Sequence, residues 1–283
     1  MPAITPQRTT PRPPPPPPTV ARTTAPSAPR LDALGPHRVV KKEITIPLPN
    51  GKSTTADVYL PQGAGPFPAV VHAYGLLQNK AREAGTATHY ASWGLATVVP
   101  RLPHGSGAPP KNAPVLQDIV DWVGKRPREL GPVDLSRGVG LSGHSFGGLT
   151  ALLAASNARG VGAVVALDPA DLNGAGSRSA PDITAPTAFV IGRPELVNQF
   201  GNGFAIYDRV GARDRQKLTV AGARHMDFQN TSTTGPKNRA NATAMTFATG
   251  WLLRHLSRDG ARYAPFTQDG AEVRRARASG LLR

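Results

Sequence analysis

The sequence predicts an α/β fold in which helices cover both faces of a mostly parallel central sheet. Short apolar runs alternate along the chain with longer segments of helical composition, as strands alternate with crossover helices. Most of these runs are nearly continuous in apolar residues, which is typical of strands buried on both faces. One run leads directly into the pentapeptide Gly-His-Ser-Phe-Gly at residues 143–147, where a strand would turn sharply into a helix.

The first two strands are predicted to pair as a hairpin. Residues 39–46 and 54–60 alternate apolar and polar side chains, as half-buried antiparallel strands do, and Asn50-Gly51 between them is a hairpin signal. Further strands are predicted at residues 67–74, 95–100, 139–142, 161–167, 187–191 and 217–220. Helices are predicted at residues 80–93, 115–130, 149–158 and 241–256. No insertion is long enough to form a separate lid domain.

The chain is predicted to hold one domain, residues 37–283, after a tail of 36 residues. The tail contains six consecutive prolines, residues 13–18, and too few apolar residues to offset its ordering entropy, so we expect it to be disordered. It has no apolar stretch of signal-peptide length, and no run in the chain is long enough to span a membrane. These absences favour a cytoplasmic protein, with export left open if the true start of the chain differs.

The charge of the chain is strongly basic. Its 33 Lys and Arg against 18 Asp and Glu give a formal net charge of +15. Such a charge attracts anionic surfaces and nucleic acids, but the basic residues are scattered, and only Arg274, Arg275 and Arg277 approach a cluster. We therefore expect at most weak attraction to anionic surfaces and no nucleic-acid partner. With no cysteine and no histidine pair at metal-ligand spacing, we expect no metal and no cofactor.

The pentapeptide makes Ser145 the candidate nucleophile. A serine in a sharp turn between a strand and a helix is held clear of the sheet, near the positive end of the helix; the alternative is a purely structural turn. A serine nucleophile needs a base, and in this order of elements the base follows it. His225 lies just after the last predicted strand, whereas His255 lies inside the closing helix. His225 is therefore the predicted base.

Three carboxylates could orient that histidine. Asp168 directly follows the buried strand at 161–167, Asp171 comes three residues later, and Glu195 follows the next strand. Asp168 is favoured because a residue directly after a buried strand is held rigidly.

A developing oxyanion needs two backbone N–H donors. We predict Phe146, the residue after the nucleophile, and Leu76, with Tyr74 as the alternative. Leu77, Phe204 and Met226 are the predicted apolar lining of a substrate cleft, against plain core packing.

These motifs resemble those of the α/β-hydrolase superfamily over roughly residues 39–266. Within it, the chain resembles the branch of serine esterases that contains chlorophyllases, platelet-activating-factor acetylhydrolases and cutinase-like polyester hydrolases. The matching pieces are Tyr-Gly-Leu at 74–76, the Gly-His-Ser-Phe-Gly-Gly turn, Leu-Asp-Pro at 167–169 and the segment at 222–228 that ends in Arg-His-Met-Asp-Phe. The resemblance implies a carboxylesterase with a Ser145–His225–Asp168 triad, acting on a small-molecule or lipid-like ester.

Two positions depart from the family pattern. Cutinase-like polyester hydrolases usually carry the acid one strand later, where this chain has Gly-Arg-Pro-Glu at 192–195 and no Asp. We take this departure as evidence against a polyester hydrolase. The other departure is Tyr74, where the family usually has His, which implies a different bracing of the oxyanion loop. The alternatives to a general esterase are a polyester or chlorophyllase-like hydrolase of narrow specificity, and a non-catalytic binding protein on a hydrolase scaffold.

Overall fold

The computed structural model describes residue 1 and residues 28–49, 51–157 and 159–283. Most of the predicted tail, residues 2–27, lies outside the described residues. So do Asn50 of the predicted hairpin and Ala158 at the end of the third predicted helix.

Eight strands form one sheet in the order β1-β2-β4-β3-β5-β6-β7-β8. They are β1 (Val39–Pro47), β2 (Ser53–Pro61), β3 (Ala69–Ala73), β4 (Ala96–Pro100), β5 (Val139–His144), β6 (Val161–Leu167), β7 (Thr187–Ile191) and β8 (Arg215–Thr219). The pair β1–β2 and the pair β2–β4 are antiparallel, and all other neighbouring pairs are parallel. The predicted α/β fold with a mostly parallel sheet is confirmed.

Seven α-helices are found in the described part of the chain. They are α1 (Ala84–Ser92), α2 (Pro109–Lys125), α3 (Phe146–Ala155), α4 (Ala175–Ser179), α5 (Gly203–Arg209), α6 (Arg239–Leu256) and α7 (Ala271–Ala278). α2 packs on α3, which packs on β3, β5 and β6, while α6 packs on β5, β6 and β7 and contacts α1. Within the described ranges, no helix is long and apolar enough to cross a membrane.

The sheet separates two apolar layers, because successive side chains of a strand point to opposite faces. In β6, Val164 belongs to the layer shared with α2 and α3, and Val165 belongs to the layer shared with α6. Both side chains are fully buried. Helices therefore cover both faces of the central strands, and only the strand ends are left for a site.

The packed region begins before residue 37. Leu31 is fully buried in the α6 layer. The backbone N–H of Gly35 donates to Ser92 Oγ at 2.8 Å, and the indole of Trp93 donates to the carbonyl of Ala33 at 2.9 Å. The predicted boundary at residue 36 is thus too late by several residues, because an isolated leucine in a polar, Pro-rich stretch gives no periodic signal.

Two predicted helices differ from the observed elements. The segment at 80–93 begins as a 3₁₀ turn, Lys80–Glu83, which Asn79 caps by accepting from the N–H of Ala81 at 3.0 Å. The helix predicted at 115–130 begins earlier, at Pro109, since proline fits the first turn of a helix. The helices α4, α5 and α7 were not predicted, because they are too short to show a helical period.

Candidate active site

Ser145 lies in the turn between β5 and α3, with φ of 57° and a side chain 6% exposed. This left-handed conformation is costly for a residue with a Cβ. Two glycines allow the turn to close. A Cβ added to Gly147 would lie 2.1 Å from the carbonyl oxygen of Ala73, and a Cβ added to Gly143 would lie 2.3 Å from the backbone of Gly147. Gly147 is therefore needed for the close approach of the turn to β3, and Gly143 for the close approach of the end of β5 to the start of α3.

His225 begins a 3₁₀ turn, His225–Phe228, after β8, and its ring reaches Ser145. Its Nε2 lies 2.9 Å from Ser145 Oγ, and its Nδ1 lies 2.6 Å from Asp168 Oδ2. A carboxylate only accepts, so Nδ1 carries the proton and Nε2 is free to accept from the serine hydroxyl. The ring is buried, which keeps both hydrogen bonds away from bulk water.

Asp168 directly follows β6 and is buried. Its φ of 43° turns the side chain back along the ends of the strands. Besides His225, its carboxylate accepts from the backbone N–H of Gly192 at 2.9 Å and from the side-chain amide of Asn198 at 3.1 Å. Two of these donors come from the segment after β7 and the third from the segment after β8, and together they fix the carboxylate plane.

The other two acidic candidates do not contact the imidazole ring. Asp171 caps α4, since its carboxylate accepts from the N–H groups of Ala175 and Ser177 at 3.0 and 3.2 Å. Glu195 accepts from the backbone N–H of His225 at 2.9 Å and pairs with Arg193. The hydrogen bond from the His225 N–H lowers the pKa of Glu195, and the Arg193 guanidinium lowers it further, although partial burial acts in the opposite direction.

His144, the variable residue of the pentapeptide, contacts both the backbone and the ring of His225. Its Nε2 lies 2.9 Å from the carbonyl oxygen of His225, and the two rings have centroids 4.6 Å apart. Burial lowers the pKa of His144 to about 4, with a smaller contribution from the neighbouring His225. His144 is therefore neutral at physiological pH and donates a hydrogen bond to the His225 backbone.

The loop after β3 faces Ser145 from the other side. A Cβ at Gly75 would lie 3.0 Å from the Cβ of Ser145. Neither the N–H of Leu76 nor that of Phe146 has a hydrogen-bond acceptor among the residues that the structure describes. The hydroxyl of Tyr74 accepts from the N–H of Leu102 at 2.8 Å, so the loop is braced against the loop after β4.

A cleft of about 370 Å³ opens above Ser145 and His225. Its apolar lining includes Leu76, Leu77, Leu172, Leu196, Val197 and Met226. All six side chains are at least 42% exposed. Large apolar side chains that are exposed side by side form a patch, and such patches usually mark binding sites. The cleft therefore presents an open apolar surface beside the serine.

Two of the three predicted lining residues, Leu77 and Met226, line this cleft, whereas Phe204 does not. Phe204 lies on α5 with its ring turned toward β8, where the Nζ of Lys217 is 4.8 Å from the ring centroid. The prediction for Phe204 was wrong because the sequence does not reveal how α5 is rotated.

Sequence reasoning missed Asn198, which is buried and bonded to Asp168. It lies in the β7 loop (residues 192–202), where Gln199 and Phe200 both have φ of 54°. Asn and Gly residues in this loop suggested flexibility rather than a fixed buried amide. No local pattern could have shown that the amide reaches the end of β6.

Comparison with known proteins places the chain in a family of hydrolases. The model of the family described as PETase, PET hydrolase-like, matches residues 15–279. The chain is also similar to the bis(hydroxyethyl) terephthalate hydrolase of Streptomyces coelicolor, with 25% identity over 247 residues that cover 86% of this chain and 74% of the relative. The missing aspartate after β7 therefore does not exclude the chain from the PET hydrolase-like family, contrary to our expectation.

Proposed function

The chain belongs to the PET hydrolase-like family, and from this premise we propose that it hydrolyses carboxylic esters through an acyl-enzyme on Ser145. The observation that carries the proposal is the line of hydrogen bonds from Ser145 through the His225 ring to Asp168, at 2.9 and 2.6 Å. A serine hydroxyl is a weak nucleophile without a base, and the base needs a partner that holds its tautomer. The buried line of three side chains therefore offers both a base for Ser145 and a partner that holds the tautomer of that base.

In the acylation step, Ser145 Oγ attacks the carbonyl carbon of the ester and its proton moves to Nε2 of His225. Asp168 stabilises the imidazolium that forms. The bond between the carbonyl carbon and the leaving oxygen then breaks, and the proton on Nε2 passes to that oxygen. The alcohol leaves, and the acyl group remains as an ester on Oγ.

In the deacylation step, a water molecule takes the place of the alcohol. His225 removes a proton from the water as the water oxygen attacks the acyl carbon. The bond to Oγ breaks, and the proton returns to Ser145. The products are a carboxylic acid and the free enzyme.

The negative oxygen of each tetrahedral intermediate would be held by the N–H groups of Phe146 and Leu76. Their position on either side of Ser145, and their lack of an acceptor in the described part of the chain, support this role. One such donor contributes about 10²–10³-fold to kcat.

We further propose that the ester is an aromatic diester of the terephthalate kind, either as a soluble fragment or as the end of a polyester chain. The family match and the name of the Streptomyces relative support this substrate class. The apolar lining of the open cleft supports it independently, because a flat aromatic acyl group would bury the exposed faces of Leu196 and Met226.

The test is hydrolysis of bis(hydroxyethyl) terephthalate and of p-nitrophenyl acetate, butyrate and octanoate by the wild type and Ser145→Ala. Ser156→Ala is the matched control, because that hydroxyl lies at the far end of α3 and bonds only to its neighbours, the carbonyl of Leu153 and the side-chain amide of Asn157. We expect activity in the wild type and the control, and a loss of several orders of magnitude in Ser145→Ala.

The outcomes separate the alternatives. Hydrolysis of p-nitrophenyl esters without hydrolysis of the terephthalate diester would overturn the substrate class and favour a narrower esterase, such as a chlorophyllase-like one. No hydrolysis of any ester by the wild type would overturn the enzymatic proposal and favour a binding protein on a hydrolase scaffold.

A further inference from the structure

The side chain of Asn198 has every hydrogen-bonding position occupied. Its amide nitrogen donates to Asp168 Oδ2 at 3.1 Å and to the carbonyl of Arg193 at 2.8 Å. Its amide oxygen accepts from the backbone N–H groups of Glu195 and Gly201 at 2.8 and 3.0 Å. The residue is 1% exposed. A buried amide that makes four bonds is fixed in one orientation, with its N–H₂ toward the acid.

The same loop also holds the histidine. Glu195 lies three residues before Asn198, and its carboxylate accepts from the backbone N–H of His225 at 2.9 Å. The N–H of Glu195 is in turn bound by Asn198. One short loop therefore contacts both the acid, Asp168, and the backbone of the base, His225. The side-chain amide of Asn198 links the two contacts, since it binds Asp168 directly and also binds Glu195.

The outer side of this loop forms a wall of the cleft. Leu196, Val197 and Gln199 line the cavity beside Ser145. The backbone reverses through Gln199 and Phe200, and the bond from the N–H of Gly201 to Asn198 closes that reversal. The inner side of the loop thus faces the acid while its outer side faces the substrate.

We propose that Asn198 is a positioning residue for catalysis, whose amide donor keeps the Asp168 carboxylate aimed at His225. The inference rests on the proposed serine mechanism. A donor to the anionic form of a carboxylate favours that form. Asp168 can then hold the Nδ1 proton of His225 throughout the cycle. Asn198 contacts no reacting atom, and it acts only through Asp168.

The decisive variant is Asn198→Asp, because aspartate keeps the size and one acceptor oxygen. That oxygen can still accept from Glu195 and Gly201, so the loop keeps these two bonds and loses the one to the carbonyl of Arg193. The donor to Asp168 is replaced by a second carboxylate, and two carboxylates this close share a proton. The shared proton competes with His225 for Asp168, while the added negative charge favours the imidazolium.

We expect kcat for p-nitrophenyl butyrate to fall by about 10²-fold, the scale of an ångström-sized misplacement of a catalytic group. KM should stay near the wild-type value, because the cleft wall is unchanged. The acid limb of the kcat/KM profile should move to higher pH. The rate at which a fluorophosphonate labels Ser145 should fall in parallel with kcat.

Asn202→Asp is the matched control. Asn202 ends the same loop and bonds to the backbone of Asp171, so it receives the same substitution without touching Asp168 or His225. It should keep the wild-type kcat and pH profile. If Asn198→Asp does not fold, as judged by circular dichroism, Asn198→Ala removes the amide donor without adding charge and should lower kcat at constant KM.

The results distinguish this inference from the proposed function. An active wild type with Asn198→Asp at full kcat and an unmoved acid limb would overturn the positioning role. A fall in kcat matched by Asn202→Asp, or a rise in KM with kcat unchanged, would also overturn it, because either would mark a purely structural loop. A wild type that neither hydrolyses esters nor reacts with the phosphonate would overturn the proposed function, and this inference with it.

Discussion

Replacing Asp168 by asparagine tests which carboxylate supports the base. The N–H of Gly192 donates to Asp168 Oδ1 at 2.9 Å, so the asparagine oxygen would turn toward Gly192. The amide N–H₂ would then face Nδ1 of His225, where the carboxylate oxygen lies at 2.6 Å. Two donors cannot share that position, so the ring would take the tautomer with its proton on Nε2.

In that tautomer His225 cannot accept the proton of Ser145. The same substitution in serine proteases lowers kcat by about 10⁴-fold, which corresponds to roughly 5.4 kcal/mol of transition-state stabilisation. We expect a loss of this size in Asp168→Asn, measured as kcat/KM on p-nitrophenyl butyrate. The fold should be retained, since the substitution keeps the size of the side chain and removes one acceptor from the Asn198 amide.

Two matched substitutions accompany it. Asp171→Asn weakens the cap on α4, so it should lower the free energy of unfolding by about 1 kcal/mol and leave kcat/KM unchanged. Glu195→Gln keeps an oxygen for the N–H of His225 and should lose far less activity than Asp168→Asn. Wild-type activity in Asp168→Asn, or a greater loss in Glu195→Gln, would refute the assignment of Asp168 as the acid.

Three further predictions follow from the cleft, a helix and a buried carboxylate. Leu196→Ser should raise KM for p-nitrophenyl octanoate about fivefold, because it loses ~1 kcal/mol of apolar contact. KM for p-nitrophenyl acetate should not change. An equal rise in KM in Val40→Ser, on the exposed face of β1, would contradict this. Gly124→Ala adds a methyl to α2 with no atom within 4 Å, so it should stabilise the protein by about 1 kcal/mol, and a lower Tm in circular dichroism would contradict the reasoning. Glu83 is fully buried and bonded to His72 at 3.1 Å. Burial raises the pKa of Glu83, but the hydrogen bond and charge of His72 outweigh it and hold the pKa below the usual 4.5. This stabilisation is therefore present above pH 4.5 and lost as the pH falls below that value. In urea unfolding at pH 7 and pH 4, Glu83→Gln should lose about 3 kcal/mol at pH 7 and show a weaker acid dependence than the wild type; identical dependence in both proteins would count against the pair.

The sheet and the serine turn could be predicted because their signals are local. The apolar runs are continuous where strands are covered on both sides, and the glycines around Ser145 mark a turn that other residues cannot form. The position of His225 after the last strand also follows from chain order, since parallel strands end at one edge of the sheet.

Contacts between distant loops could not be predicted in the same way. Asn198 meets Asp168 across 30 positions of sequence, and nothing in either segment marks the pairing. Leu31 packs under α6 although its neighbours are polar, and Phe204 turns away from the cleft because of the rotation of a short helix. These features depend on three-dimensional packing rather than on periodicity.

The positive φ angles of the chain have a consequence for protein engineering. Among the described residues other than glycine, six have positive φ. Leu77, Ser145 and Gln199 line the cleft, and two more, Asp168 and Phe200, contact His225 or follow Gln199 in the β7 loop. Glycine at these positions would relieve the backbone, so Ser145→Gly should melt at a higher temperature than the wild type while being inactive. Selection for thermal tolerance alone would therefore tend to remove the site first. A search for more durable variants should exclude these five positions and draw on open surface sites such as Gly124.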